Sequence, residues 1–250
     1  MAGPVPVVPH GKTSMQMMHS SVYIIAIAGP SCAGKTELAE SVAGELSASV
    51  LVLDSYYRDL NAMEPSQRAL VNFDSPEALD HELLIEQVRC LTRGEAVQRP
   101  VYDFTTHTRN PRGLRFDVSD LLIVEGIFAL YWHEVRQLAG TKIFVDAPDD
   151  VCFRRRKLRD TAGRGRTVES VIAQFNETVQ PMAARHVRPT SAYADLVLSG
   201  EEPLCRSVDR VVAHVQRNLP PAVRTSGERG STHKPTQSSG VQILEEHPNF

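Results

Sequence analysis

Cysteine is sparse in this chain, long apolar runs are missing, and there is no surplus of positive charge. The four cysteines, Cys32, Cys90, Cys152 and Cys205, are scattered with no C-x-x-C pairing. That spacing suggests neither a zinc knuckle nor a disulfide framework, and it fits a reducing, intracellular compartment. No apolar run approaches the ~20 residues of a membrane span, and the N-terminus shows no charged segment leading into an apolar one. A soluble, cytoplasmic protein with no membrane partner is therefore expected. Lys and Arg number 27 against 30 Asp and Glu, a formal net charge of -3, which argues against wholesale nucleic-acid binding. At 250 residues, 42% hydrophobic and 23% charged, the chain suits one domain with appendages. Residues 1–20 and 220–250 are rich in Pro, Gly, Ser or charge without periodicity and read as disordered tails around a domain at 21–219.

What is present begins with GPSCAGKT, Gly29 to Thr36, set between the apolar run VYIIAIA and the helical pattern ELAESVAGEL. Strand, glycine-bounded loop and Lys-Thr at a helix start make the setting of a phosphate-binding P-loop. Gly29 and Gly34 permit a backbone path on which the N–H groups of Pro30-Ser31-Cys32-Ala33-Gly34 and the following helix start can converge on an anion, Pro30 itself contributing no N–H. Lys35 is placed to reach the β and γ phosphates and the Thr36 hydroxyl to meet Mg²⁺. The chain is expected to bind a nucleoside triphosphate.

Apolar runs that suit buried parallel strands recur at Val22–Ala28, Val50–Leu53, Leu121–Val124, Lys142–Val145 and Leu196–Leu198. Helical patterns follow Lys35, Pro76 (closing on Gly94), Pro148, Arg166 and Cys205. Alternation of the two predicts an α/β fold of the P-loop NTPase type. It is a doubly wound, mainly parallel sheet with helices on both faces and an Arg-rich lid.

Neither N-K-x-D, which reads guanine, nor L-S-G-G-Q occurs, so the remaining chemistry must decide what the loop serves. Asp54 ends the second apolar run and Glu125 the third. At the carboxyl ends of parallel strands both point toward the loop. One can serve Mg²⁺ while the other accepts a proton from an attacking hydroxyl; either could instead be a helix cap. RRRKLRDTAGRGR, from Arg154 to Arg166, puts Arg156 and Arg159 on one helix face. An arginine-rich segment closing over phosphates suits phosphoryl transfer, and a solvated basic face is the plainer alternative.

In chain order, GPSCAGKT, DSYYRDL, NFDSPEALD, PVYDFTTHTR, VEGIFALY, RDTAGRGR, Gln174 and PTSAYADLVL together resemble the uridine kinase (uridine-cytidine kinase) family of P-loop nucleoside kinases. The likeness covers roughly residues 22–219. It implies ATP-dependent, Mg²⁺-assisted phosphorylation of the 5′-hydroxyl of uridine and cytidine to UMP and CMP. By position it implies Asp54 as general base, Lys35 and Arg159 on the transferred phosphate, and Arg164 as a further lid arginine on ATP. Thr36 and Glu125 would serve the metal. Tyr102 and His107 would read the base edge, Tyr57 and Phe73 would wall the base, and Phe104 would join the substrate contacts. Asp74 and Arg156 would clamp the ribose, with Arg166 and Gln174 as further nucleoside contacts. The family's habit implies a homo-oligomer, a tetramer, that is inhibited by pyrimidine triphosphates.

Some positions depart from that pattern. Pro30 and Cys32 stand where small Gly or Ser is common, Ser75 replaces a usual histidine, and LSGEEPLCRS replaces a Pro-Arg-Gly stretch. The last departure leaves the donor, ATP or GTP, open. Rival readings are a related kinase for nicotinamide riboside or a phosphorylated sugar, a catalytically silent nucleotide-binding regulator, and a nucleic-acid module using Arg154 to Arg166. Intact Lys35, Asp54 and Glu125 argue against the regulator, and net acidity argues against the nucleic-acid module.

Overall fold

A computed structural model of the chain describes residues 22–68, 70–163, 165–221 and 223. The expected tails at 1–20 and 220–250 lie almost wholly outside the described residues, and so does Arg164. The elements run β1 (Tyr23–Ala28), α1 (Lys35–Leu46), β2 (Ser49–Val52), α2 (Pro65–Arg68), α3 (His81–Thr92), β3 (Val97–Arg99), β4 (Tyr102–Asp103), β5 (Thr108–Arg109), β6 (Leu114–Phe116) and β7 (Leu121–Glu125). They continue with α4 (His133–Leu138), β8 (Ala139–Asp146), α5 (Asp149–Gly163), α6 (Val168–Gln174), α7 (Gln180–Met182), β9 (Leu196–Ser199) and α8 (Leu204–Asn218).

Five strands pair in parallel in the order β2-β7-β1-β8-β9. β1 is central and buried throughout. Its side chains divide by the two-residue period of a strand. Ile24, Ala26 and Ala28 join a core with α3 and Phe128 on one face, whereas Tyr23, Ile25 and Ile27 join α1, α5 and α8 on the other. Two covered faces explain why the strand sequences are continuously apolar instead of alternating. All five expected strands form this sheet.

The helices follow their apolar spacing. α1 buries Leu38, Ala39 and Val42 and closes on Ser47, which takes the left-handed φ of 52°. The sequence places the next helix directly after Pro76, but Pro76–Ala78 is a single 3₁₀ turn and α3 begins five residues later. The Asp80 side chain accepts from Leu83 N and caps it, a stronger start signal than proline alone. α8 buries Val208, Val211 and Val215 at helical spacing and packs on α1.

The region between α3 and β7 carries two small antiparallel pairs absent from the expectation, β3 with β6 and β4 with β5. The second is made by the turn chemistry of Y-D-F-T-T-H-T-R. The Asp103 carboxylate accepts from Thr105 N at 2.7 Å and Thr106 Oγ1 at 2.8 Å, and His107 takes a φ of 56°. A short polar side chain bonding the backbone two residues on is what lets such a tight reversal form.

Candidate active site

The phosphate loop leaves β1 at Gly29 and enters α1 at Gly34. Gly29 has φ 148°, and a Cβ there would lie 2.1 Å from the carbonyl oxygen of Val145 on β8. No other residue fits so close to a neighbouring backbone. Gly34 has φ 103° and Cys32 φ 64°, so with Gly29 the loop takes positive φ at three positions, one of them a non-glycine under strain. The Lys35 ammonium is buried and donates to Pro30 O at 2.8 Å, folding over the loop.

The Thr36 hydroxyl reaches the carboxylate of Glu125, at the end of β7. Glu125 is only 3% exposed; burial raises its pKa above the ordinary 4.5, and Asp54 raises it further while Lys35 opposes the shift. Asp54 itself lies in the 3₁₀ turn Leu53–Tyr56 that follows β2. Strand order explains the meeting. β2 and β7 are neighbours with Val52 opposite Glu125, so Asp54, two residues further on, lies close to the Glu125 carboxylate.

Beyond Asp54 the aromatic side chains form a cluster. Tyr57 meets Phe73 edge-on at 5.5 Å between centroids, Tyr102 at 5.4 Å and Phe104 at 6.3 Å. Phe73 stacks on the His107 imidazole at 4.5 Å. Burial pushes the Tyr102 phenol up to about 12, so it keeps its proton at neutral pH. Phe104 is 43% exposed and stands at the rim. Asp74 is buried beside this cluster, its pKa raised by burial against the opposing Arg156. Arg156 Nη1 lies 3.8 Å from Asp74 Oδ1 and donates to Ser31 Oγ of the phosphate loop at 3.0 Å. Its Nη2 donates to Gln174 Oε1 at 3.1 Å, which also accepts from Arg166 Nη1.

Contacts from the phosphate loop run through Thr36 to Glu125 and, through Ser31 and Arg156, to Asp74, Gln174 and Arg166, while Tyr57, Phe73, Tyr102, Phe104 and His107 form one ring cluster beside Asp74.

Three residues without an assigned role in the sequence reading hold this arrangement. Arg109 donates to Tyr57 O at 2.6 Å, Tyr56 O at 2.8 Å and Asp80 Oδ2 at 3.1 Å, tying the aromatic wall to the cap of α3. Arg155 donates to Gly200 O at 2.8 Å and lies 3.3–3.4 Å from the carbonyls of Ala33 and Cys32. Asp160, wholly buried, sits between Arg156 and Arg159. All three lie inside the quoted stretches PVYDFTTHTR and RRRKLRDTAGRGR, but none is given a role there.

The glycine-bounded loop opening a helix at the carboxyl end of a central parallel strand, with carboxylates from the neighbouring strands, defines a P-loop kinase. The profile described as "Phosphoribulokinase / Uridine kinase family" matches residues 24–202, and the chain belongs to that family. A uridine kinase of Shewanella sp. (strain ANA-3) is 41% identical over 182 residues, 70% of this chain and 86% of that protein. A uridine kinase of Lactobacillus johnsonii is 42% identical over 179 residues, 70% and 85% of the two chains. The solved phosphoribulokinase of Rhodobacter spheroides superposes with a TM-score of 0.53 at 19% identity, covering 72% of this chain and 70% of that one. It shares the fold. Among the described residues no helix is long and apolar enough to cross a membrane.

Proposed function

We propose that the chain transfers the γ-phosphoryl group of ATP to the 5′-hydroxyl of uridine and cytidine, giving UMP or CMP and ADP. The observation that carries this reading is the ring cluster of Tyr57, Phe73, Tyr102 and His107 directly beside the Asp74–Arg156 pair. Flat apolar walls suit a pyrimidine, and an adjoining carboxylate and guanidinium suit the two hydroxyls of a ribose. A phosphorylated sugar would offer nothing to the rings. The imidazole of His107 can donate or accept according to tautomer, which accommodates both the 4-oxo group of uridine and the 4-amino group of cytidine.

In this reading Asp54 accepts the 5′-hydroxyl proton as the oxygen–phosphorus bond forms and the bond to the β-phosphate bridge breaks. Lys35 and Arg159 balance the charge that spreads over the transferred group. Two protein oxygens converge at the loop, from Thr36 and Glu125. That suits Mg²⁺, which takes one or two protein ligands and fills its other positions with phosphates and water. When bound, Mg²⁺ supplies neutralisation of the β and γ oxygens. The same reading makes residues 21–219 the kinase domain with tails at either end, and a cytoplasmic homo-oligomer the working form.

The test is a panel of acceptors with ATP: uridine, cytidine, 2′-deoxyuridine, nicotinamide riboside and ribulose 5-phosphate, each with Mg²⁺ and with EDTA. Magnesium-dependent UMP and CMP formation with poor turnover of the others is expected. Turnover of another acceptor in preference to both pyrimidine ribonucleosides would overturn the reading.

A further inference from the structure

Asp160 is the one fully buried carboxylate among the described residues of the lid helix α5, with 0% of its surface exposed. Its two oxygens face two different guanidiniums: Oδ1 accepts from Arg159 Nε at 2.8 Å, and Oδ2 lies 3.4 Å from Arg156 Nε. Its own carbonyl accepts from Arg166 N at 3.1 Å, which closes the lid loop back onto the helix. A carboxylate removed from water is costly unless charges and donors surround it on several sides. Here it is surrounded by the arginines that the proposed reaction uses.

Those arginines face different substrates. Arg156 contacts Asp74 and Gln174, on the nucleoside side, and donates to Ser31 of the phosphate loop. Arg159, on the reading above, serves the transferred phosphate. One turn of helix separates them, and without an anion between them two neighbouring guanidiniums repel. We propose that Asp160 is the positioning residue that locks Arg156 and Arg159 into one rigid unit, so that the ribose clamp and the phosphate arginine keep a fixed spacing. The nucleoside's hydroxyl and the γ-phosphate are then brought into line by a single carboxylate that contacts neither. This inference rests on the proposed phosphoryl transfer.

Three variants test it beside the wild type with uridine, ATP and Mg²⁺. Asp160→Asn keeps the shape and removes the charge. Its turnover is expected to fall about 10²-fold, the scale of a misplacement near 1 Å, with KM for uridine raised and ATP-analogue binding close to wild type. Arg159→Ala removes the phosphate arginine. Adding Asp160→Asn to it is expected to cost less than about 10-fold more, because linked residues are not additive. Should Asp160→Asn fail to fold, Arg159→Lys carries the test. It keeps the positive charge on a partly exposed site and loses the Nε–H that Asp160 holds, and it is expected to lose turnover while melting like the wild type.

Independent, multiplying losses in the double variant would overturn the proposal, as would wild-type turnover in a folded Asp160→Asn or Arg159→Lys. A wild type that does not phosphorylate uridine would overturn the reading of function instead, and the variant comparison would not be needed to show it.

Discussion

The hydroxyl of Thr36, in the first turn of α1, donates to Oε1 of Glu125 at 2.9 Å, joining residues 89 positions apart in sequence. The bond fixes the orientation of the only two protein oxygens proposed for Mg²⁺. Thr36→Val preserves the β-branched shape and deletes the oxygen. Half-maximal activity is expected to need about 10–100-fold more Mg²⁺, the usual consequence of disturbing a metal ligand's surroundings. A magnesium titration at saturating ATP and uridine checks this, and an unchanged midpoint would remove Thr36 from the metal site.

Asp54 stands on the turn after β2, among Glu125, Asp74 and Tyr57. Asp54→Asn is expected to lower turnover by about 10²–10⁴-fold, the contribution of a positioned general base. ATP binding should remain within a few-fold of wild type because the loop is untouched. Single-turnover kinetics alongside ATP-analogue titration separate the two quantities.

The Asp74–Arg156 pair predicts a preference for ribose. With 2′-deoxyuridine one partner loses its hydroxyl contact while still buried, and kcat/KM is expected to fall at least about 10²-fold. Arg156→Met should erase most of that preference while lowering activity on both nucleosides. Equal discrimination in the variant would locate the selectivity elsewhere.

Glu125 gives a pH signature in the nucleotide-free protein. Burial raises its pKa in the fold, so the folded state holds the proton more tightly than the unfolded chain. Its stabilising contribution is full below the unfolded value, near 4.5, and is lost as pH rises through the higher folded value. Glu125→Gln is neutral throughout and can still accept from Thr36. It is expected to melt above the wild type near neutral pH, with the difference shrinking on acidification. A wild type more heat-stable than Glu125→Gln at about pH 8 would contradict the assignment.

How far the sequence spoke depended on the range of each interaction. The sheet was readable because both faces of every strand are covered, so burial writes itself into continuous apolar runs such as IIAIA and LLIV. The loop was readable because phosphate geometry demands glycine at 29 and 34. The β4–β5 pair left only local turn signals around Asp103, and two-residue strands are too short for any alternation to register. The start of α3 slipped because Pro76 competes with Asp80 as a start signal. Arg155 acts only on backbone carbonyls, which any residue supplies, and Arg109 reaches two carbonyls and Asp80, 29 positions away, so no local pattern betrayed either. Thr36 and Glu125, drawn from family likeness, meet because β1 and β7 are neighbours whose ends lie together.

β1 is the first strand among the described residues and the middle strand of the sheet. Ala28 pairs with Phe144 on β8, and the phosphate loop leans on Val145 and on Gly200, whose absent Cβ would sit 2.2 Å from Ala33 O. During synthesis, at ~5–20 residues per second, the roughly 115 residues between Ala28 and Phe144 take on the order of ten seconds to appear. Throughout that interval an apolar strand and an unshaped loop wait for their neighbours. The loop's close contacts with Val145 and Gly200 can form only after those residues have been made.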